Sequence, residues 1–228
     1  MVDENGVPVW MRNRTLSLNP THMISVVDHN LPYDTHNIYD ITFHSYNIRT
    51  LLTSEPSFVD SWISDIRCRN RRNLLVGLDI EWRPNTQRNM QNPVATLQLC
   101  VGPSCLVFQI LHAPFISQSL ASFLSDPNHT FFGVGIEEDV EKLLEDYSLR
   151  VSNAVDLRPL AAQKLGDWDL NRAGIKTLGL RVLGLAFEKP QRITRSNWAN
   201  PWLNAEQVQY ATVDAFVSFE VGRCLISS

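Results

Sequence analysis

The chain has 228 residues, 44% of them hydrophobic and 19% charged, which suits one generous globular domain with a sizeable core. A net charge of −4 excludes a protein that coats nucleic acid along a broad basic surface, though not an enzyme gripping a few nucleotides beside metal ions. No apolar run approaches the ~18 residues of a membrane span, and Met1–Pro20 lacks the apolar core of a signal peptide, so the expected location is intracellular, in nucleus or cytoplasm, with no membrane partner.

In chain order, Met1 to about Pro20 reads as an irregular arm, and residues 1–37 as an N-terminal extension to a domain over 38–228. Residues Ile38–Leu52 are rich in strand formers and predict a strand. Ser54-Glu55-Pro56 then opens a helix, with Pro56 in its first turn and Val59, Trp62, Ile63 and Ile66 at helical spacing. Arg67, Arg69, Arg71 and Arg72 form a basic cluster that reads as a solvated loop entering the next strand, with a phosphate contact as the alternative. Leu74–Trp82 is a short apolar run that predicts a buried strand, and Arg83–Pro93 is a polar loop leaving it. Ala95–Val101 and Cys105–Ile110 predict two antiparallel strands joined at Gly102-Pro103.

Phe115–Leu124 has helical spacing. Thr130–Val134 reads as a short strand running through Gly133 and Gly135 into a helix from Glu137 to Tyr147. Its expected buried stripe is Ile136, Val140, Leu143, Leu144 and Tyr147. Asp156 is placed to cap a helix over Leu157–Lys164. Gly166–Gly174 reads as a loop, Leu178–Leu185 as a helix, and Glu188–Pro201 as a polar connection carrying Arg192, Arg195 and Trp198. The last helix is expected over Ala205–Cys224. This order predicts an α/β fold, a mixed sheet flanked by α-helices. The four cysteines show no Cys-x-x-Cys spacing and read as free thiols.

The chemistry concentrates on acids. Alternation along Leu74–Trp82 puts Leu74, Val76, Leu78, Ile80 and Trp82 on one face and Leu75, Gly77, Asp79 and Glu81 on the other. Two adjacent anions on a core strand repel each other and are costly to desolvate. A solvated strand end would relieve them; so would a bound cation, and hard oxygen ligands suit Mg²⁺ or Mn²⁺. Asp139 falls in the first turn of its helix, where the N-terminus favours an acid; the glycines before it also allow an approach to Asp79 and Glu81. Tyr210 and Asp214 are four apart and share one helical face beside the apolar stripe Val208, Ala211, Ala215 and Phe219.

Asp79-x-Glu81, then Asp139, then Tyr210-x-x-x-Asp214 form an ordered set that resembles the DEDD superfamily of 3′–5′ exonucleases. That superfamily has a ribonuclease-H-like fold, and the tyrosine marks its DEDDy subgroup; the position a histidine takes in the other subgroup is Gln209 here. The wording Asp-Ile-Glu-Trp, Ala-Thr-Leu-Gln-Leu, Gly-Val-Gly-Ile-Glu-Glu-Asp, Ser-Asn-Trp and Tyr-Ala-Thr-Val-Asp-Ala-Phe is similar to the exonuclease domain of Werner-syndrome-type proteins, in its stand-alone plant form. The resemblance covers Ile38 to Cys224. Glu138 and Glu141 depart from residues seen in some relatives, and both add negative charge near the expected substrate path.

The resemblance implies hydrolysis of terminal phosphodiester bonds of nucleic acid, DNA favoured over RNA, from a single strand or the 3′ end of a duplex. Asp79, Glu81, Asp139 and Asp214 would hold two divalent metal ions, Mg²⁺ or Mn²⁺, ~3.5–4 Å apart. Tyr210 would orient the attacking water, since a phenol with a pKa near ~10 is a poor base at neutral pH. Trp82, Arg83 and Lys176 are candidate nucleic-acid contacts. Rival readings are a non-catalytic nucleic-acid- or protein-binding module on the same fold, and a metal phosphodiesterase acting on small nucleotides. The arm leaves a homo-oligomer open.

Overall fold

Strand β4 (Leu75–Trp82) separates two cores by side-chain alternation alone. A computed structural model describes residues 24–70, 73–85 and 91–227. Val76, Leu78 and Ile80 of this strand pack into one core with helix α1 (Pro56–Arg69), helix α2 (Gln118–Leu124) and helix α3 (Ile136–Tyr147). The opposite face, carrying Leu75 and Gly77, meets the core built around helix α7 (Ala205–Ser227). The expected two-faced strand is therefore present, one residue shorter at its start.

Among the described residues, eight strands, β1 (Ile24–Asp28), β2 (His36–Phe43), β3 (Tyr46–Thr53), β4, β5 (Val94–Val101), β6 (Ser104–Phe108), β7 (Thr130–Gly133) and β8 (Ala154–Asp156), make one mixed sheet in the order β1-β2-β3-β6-β5-β4-β7-β8. Strand β5 (Val94–Val101) pairs antiparallel with β4, placing Gln98 opposite Asp79 and Thr96 opposite Glu81. Strand β6 (Ser104–Phe108) turns back along β5 through Gly102. On the other side, β7 (Thr130–Gly133) and β8 (Ala154–Asp156) run parallel to β4. The predicted α/β class holds, with helices on both faces.

Several expectations are corrected. Ile38–Leu52 is not one strand but the hairpin β2 (His36–Phe43) and β3 (Tyr46–Thr53), with Phe43 paired to Tyr46 across His44-Ser45. Strand formers run through that turn, and the chain reverses because His44 adopts a left-handed φ of 52°. Residues 1–23 of the expected arm lie outside the described residues, as do Arg71 and Arg72 of the basic cluster; Ile24–Asp28 form strand β1, paired along β2 in the sheet. Helix α2 starts at Gln118 rather than Phe115, because the Ser117 hydroxyl accepts the Leu120 amide as its cap. Leu144 is exposed and leaves the stripe predicted for α3.

Asp156 caps helix α4 (Leu157–Leu165), as expected. The expected loop 166–174 contains a 3₁₀ turn over Trp168–Arg172. The helix predicted over Leu178–Leu185 is instead a short α5 (Ile175–Leu178) that widens into a π-helical turn over Gly179–Leu183. The polar connection holds a further short helix, α6 (Gln191–Thr194). Among the described residues, which include all four cysteines, no disulfide forms. Among the described residues, no helix is long and apolar enough to cross a membrane.

Candidate active site

Three of the expected acids meet where α7 crosses β4. Ligand oxygens of Asp79, Glu81 and Asp214 all lie within 4.8 Å of one another. Gly77 permits this. A Cβ there would overlap the Ala215 carbonyl oxygen and stand 2.6 Å from the Phe219 amide nitrogen, so only a residue without a side chain lets α7 lie against the strand. Asp214, one residue before Ala215, is thereby lowered onto the face that carries Asp79 and Glu81. A hydroxyl contact between Thr50 and Thr212, 3.1 Å, ties the same helix to β3.

Asp139 arrives from the other layer. Gly135 adopts a left-handed φ of 73° as the chain leaves β7 and enters α3. The Asp156 carboxylate accepts the Gly135 amide at 3.1 Å and also binds Arg158, so the cap of α4 steadies the turn that aims Asp139. Asp139 is not in the 4.8 Å set, yet its charge is felt at Glu81 and that of Asp79 is felt at Asp139.

Crowding has an electrostatic signature. Burial, then the charge of Asp214, pushes the Asp79 carboxyl up to about 7. Burial, then Asp79, pushes Asp139 up to about 8. Glu81 is raised well above the usual carboxylate range by burial, with Asp79 and Asp214 adding to it. Asp214 is raised by burial, against the pull of Lys189 and Tyr210. Clustered acids with raised pKa values, here half-buried at Asp79, Glu81 and Asp139 and buried at Asp214, mark functional sites. Across from Asp79, the fully buried Gln98 adds a further acceptor, since its Oε1 has no hydrogen-bond partner while its Nε2 donates to Thr96 Oγ1 at 2.6 Å.

Tyr210 is buried beside Asp214. Its ring leans on Trp198, with centroids 5.8 Å apart, and its hydroxyl oxygen accepts a hydrogen bond from Thr194 Oγ1 at 3.1 Å. Burial, then the charge of Asp214, raises its pKa, which keeps the phenol protonated. Sequence reasoning missed Thr194 and also Lys189. The Lys189 ammonium lies 2.5 Å from Asp214 Oδ2 and 4.9 Å from the centre of the Tyr210 ring. Burial opposes its charge, but Asp214, Asp79 and Tyr210 more than offset that and raise its pKa. A lone lysine in a polar connection carries no local signal; only the pile-up of acids it faces points to it.

The three candidate nucleic-acid contacts are placed as follows. Trp82 packs partly into the α1–α3 core, with Lys142 Nζ 5.6 Å from its ring centre. Arg83 is exposed just past the end of β4. Lys176 is ion-paired to Glu188 at 2.7 Å.

Oxygen ligands of this kind fit hard divalent cations. The crowded acids disfavour one another unless protonated or matched by positive charge, so the donor set suits such ions.

Comparison with known proteins agrees. A family model described as 3′–5′ exonuclease matches residues 54–225. A 3′–5′ exonuclease of Arabidopsis thaliana is 37% identical over 152 residues, 66% of this chain and 52% of that protein. The bifunctional 3′–5′ exonuclease/ATP-dependent helicase WRN of Mus musculus is 33% identical over 196 residues, 84% of this chain but 13% of that protein. This chain thus matches about half the length of the plant relative and a small part of the mouse one. Escherichia coli RNase D, an exoribonuclease involved in structured RNA processing, shares the fold with a TM-score of 0.64 over 77% of this chain and 44% of that one, at 20% identity. With a family match that spans most of its length, this chain belongs to the 3′–5′ exonuclease family.

Proposed function

We propose that this protein is a metal-dependent 3′–5′ exonuclease that hydrolyses terminal phosphodiester bonds of nucleic acid. The observation that carries the reading is the convergence of Asp79, Glu81 and Asp214 oxygens within 4.8 Å, Asp214 buried and the other two half-buried, beside the buried Tyr210. These acids, with Asp139, would hold two divalent ions, Mg²⁺ or Mn²⁺. Such ions lower the pKa of a bound water and stabilise the leaving oxygen.

The remaining work falls to the chain. Tyr210 keeps its proton and orients the attacking water as a hydrogen-bond donor; it is no general base. Thr194 supports this by occupying a lone pair of the phenol oxygen, which aims the phenolic hydrogen elsewhere. Trp198 and Lys189 both adjoin the ring and limit its swing. Arg83 is free to meet a backbone phosphate, whereas Trp82 packs and Lys176 reaches a substrate only by leaving Glu188.

The substrate is a single strand or a 3′ end of duplex, with DNA favoured over RNA. That preference is the expectation set by the resemblance to Werner-syndrome-type exonuclease domains, to which the 33% identity with WRN of Mus musculus adds. The test is digestion of matched 5′-labelled DNA and RNA strands with Mg²⁺ or Mn²⁺. Stepwise shortening from the 3′ end, faster on DNA and stopped by chelator, is expected. No trimming of either strand with either metal would overturn the reading.

A further inference from the structure

Lys189 is a half-buried cation whose charge the proposed chemistry does not use. Its ammonium is in contact with Asp214 Oδ2, at 2.5 Å. A dication held jointly by Asp79, Glu81 and Asp214 would draw on the same Asp214 carboxylate, since one oxygen from each of the three acids lies within 4.8 Å of the others. An ammonium and a dication repel each other, so each weakens the other's hold on a carboxylate they share.

The backbone after Lys189 is held, whereas its long side chain is part-exposed and anchored at its tip by Asp214. Glu188 is tied to Lys176 at 2.7 Å, and the Pro190 carbonyl accepts the Ile193 and Thr194 amides as α6 begins. Between these anchors, four methylenes give the ammonium freedom to move. Beside it opens a cavity of about 130 Å³, lined in part by Ile24, Phe187, Arg192 and Gln209. The Tyr210 ring face forms a path toward that space, and a cation over an aromatic face is attracted to it.

We propose that Lys189 is an exchangeable counter-ion of the carboxylate cluster: its ammonium pairs with Asp214 until divalent metal takes the acids, and metal loading must displace it toward the cavity beside Tyr210. This rests on the metal-dependent reading above. Lys189 is then a positioning residue. It keeps the acids gathered before loading and weakens metal binding by competing for them.

The test compares wild type, Lys189→Met and Lys189→Arg by thermal melting in chelator and by calorimetric titration with Mn²⁺. Lys189→Met should melt lower in chelator, since it leaves buried acids without their partner. The same variant should bind Mn²⁺ about tenfold tighter, because no cation need be displaced. Lys189→Arg keeps the charge and should stay near wild type in both. A salt bridge of merely structural importance would make Lys189→Met bind Mn²⁺ equally or more weakly, and that result overturns the inference. If Lys189→Met folds only with Mn²⁺ present, chelator competition from the loaded protein gives the same affinity comparison. No Mn²⁺ binding by wild type would instead sink the metal reading itself, and the inference with it.

Discussion

Gly77 and Ala215 touch backbone to backbone: the space where a Cβ of Gly77 would lie is filled by the Ala215 carbonyl oxygen. The two residues are 138 apart in sequence, yet their contact sets the height of α7 above β4 and hence the gap between Asp214 and the Asp79–Glu81 pair. Gly77→Ala should therefore destabilise the fold by about 1–3 kcal/mol, the usual cost of forcing extra volume into a packed core. It should also weaken Mn²⁺ binding by lifting Asp214 away. Urea unfolding together with Mn²⁺ titration checks both parts.

Asp79→Asn separates stability from catalysis. Removing one like charge from a buried cluster should raise the melting temperature in chelator. Loss of a ligand to the catalytic metals should cost several kcal/mol of transition-state stabilisation, or about 10³-fold or more in rate. Melting curves and single-turnover digestion read the two effects independently.

The raised acids give a pH dependence with a definite sign. Asp79 and Asp139 titrate near 7 and 8 when folded, against the model-peptide value of 3.8. The folded chain thus binds more protons than the unfolded chain across that interval, so the stability from these groups is present in acid and lost as pH rises. In chelator the melting temperature should fall between about pH 5 and about pH 8. Saturating Mn²⁺ should remove that fall, and Mn²⁺ affinity should rise with pH over the same window as protons leave the ligands.

Thr194→Val tests the tyrosine's aim. It removes the hydroxyl that donates to Tyr210 and leaves the acids untouched. Tyr210→Phe should reduce kcat by about 10²-fold, as expected of a misplaced water, with Mn²⁺ affinity near wild type. Thr194→Val should move kcat in the same direction by a smaller factor. A fall in Mn²⁺ affinity equal to the fall in kcat would show that Tyr210 holds the metals' ligands instead.

Much of this was legible in sequence, for identifiable reasons. The period-2 alternation of Leu74–Trp82 announced both the strand and the acids' common face, and the four-residue step from Tyr210 to Asp214 announced a shared helical face. Asp156 showed as a cap because caps are local chemistry. Three features were hidden. The hairpin at His44-Ser45 carries no glycine or asparagine to mark its turn. The π-helical turn over Gly179–Leu183 is a matter of packing against α7, while its sequence has ordinary helical spacing. Lys189 and Thr194 gain their importance only from acids and a phenol supplied by other elements.

The most direct test of the central claim is calorimetric titration of wild type and Asp214→Ala with Mn²⁺ at neutral pH. Two ions per chain for wild type, with binding lost or strongly weakened in Asp214→Ala, is the expected result. Wild type that takes up no Mn²⁺, or an Asp214→Ala variant that binds as wild type does, would contradict the proposal that these carboxylates form a divalent-metal site.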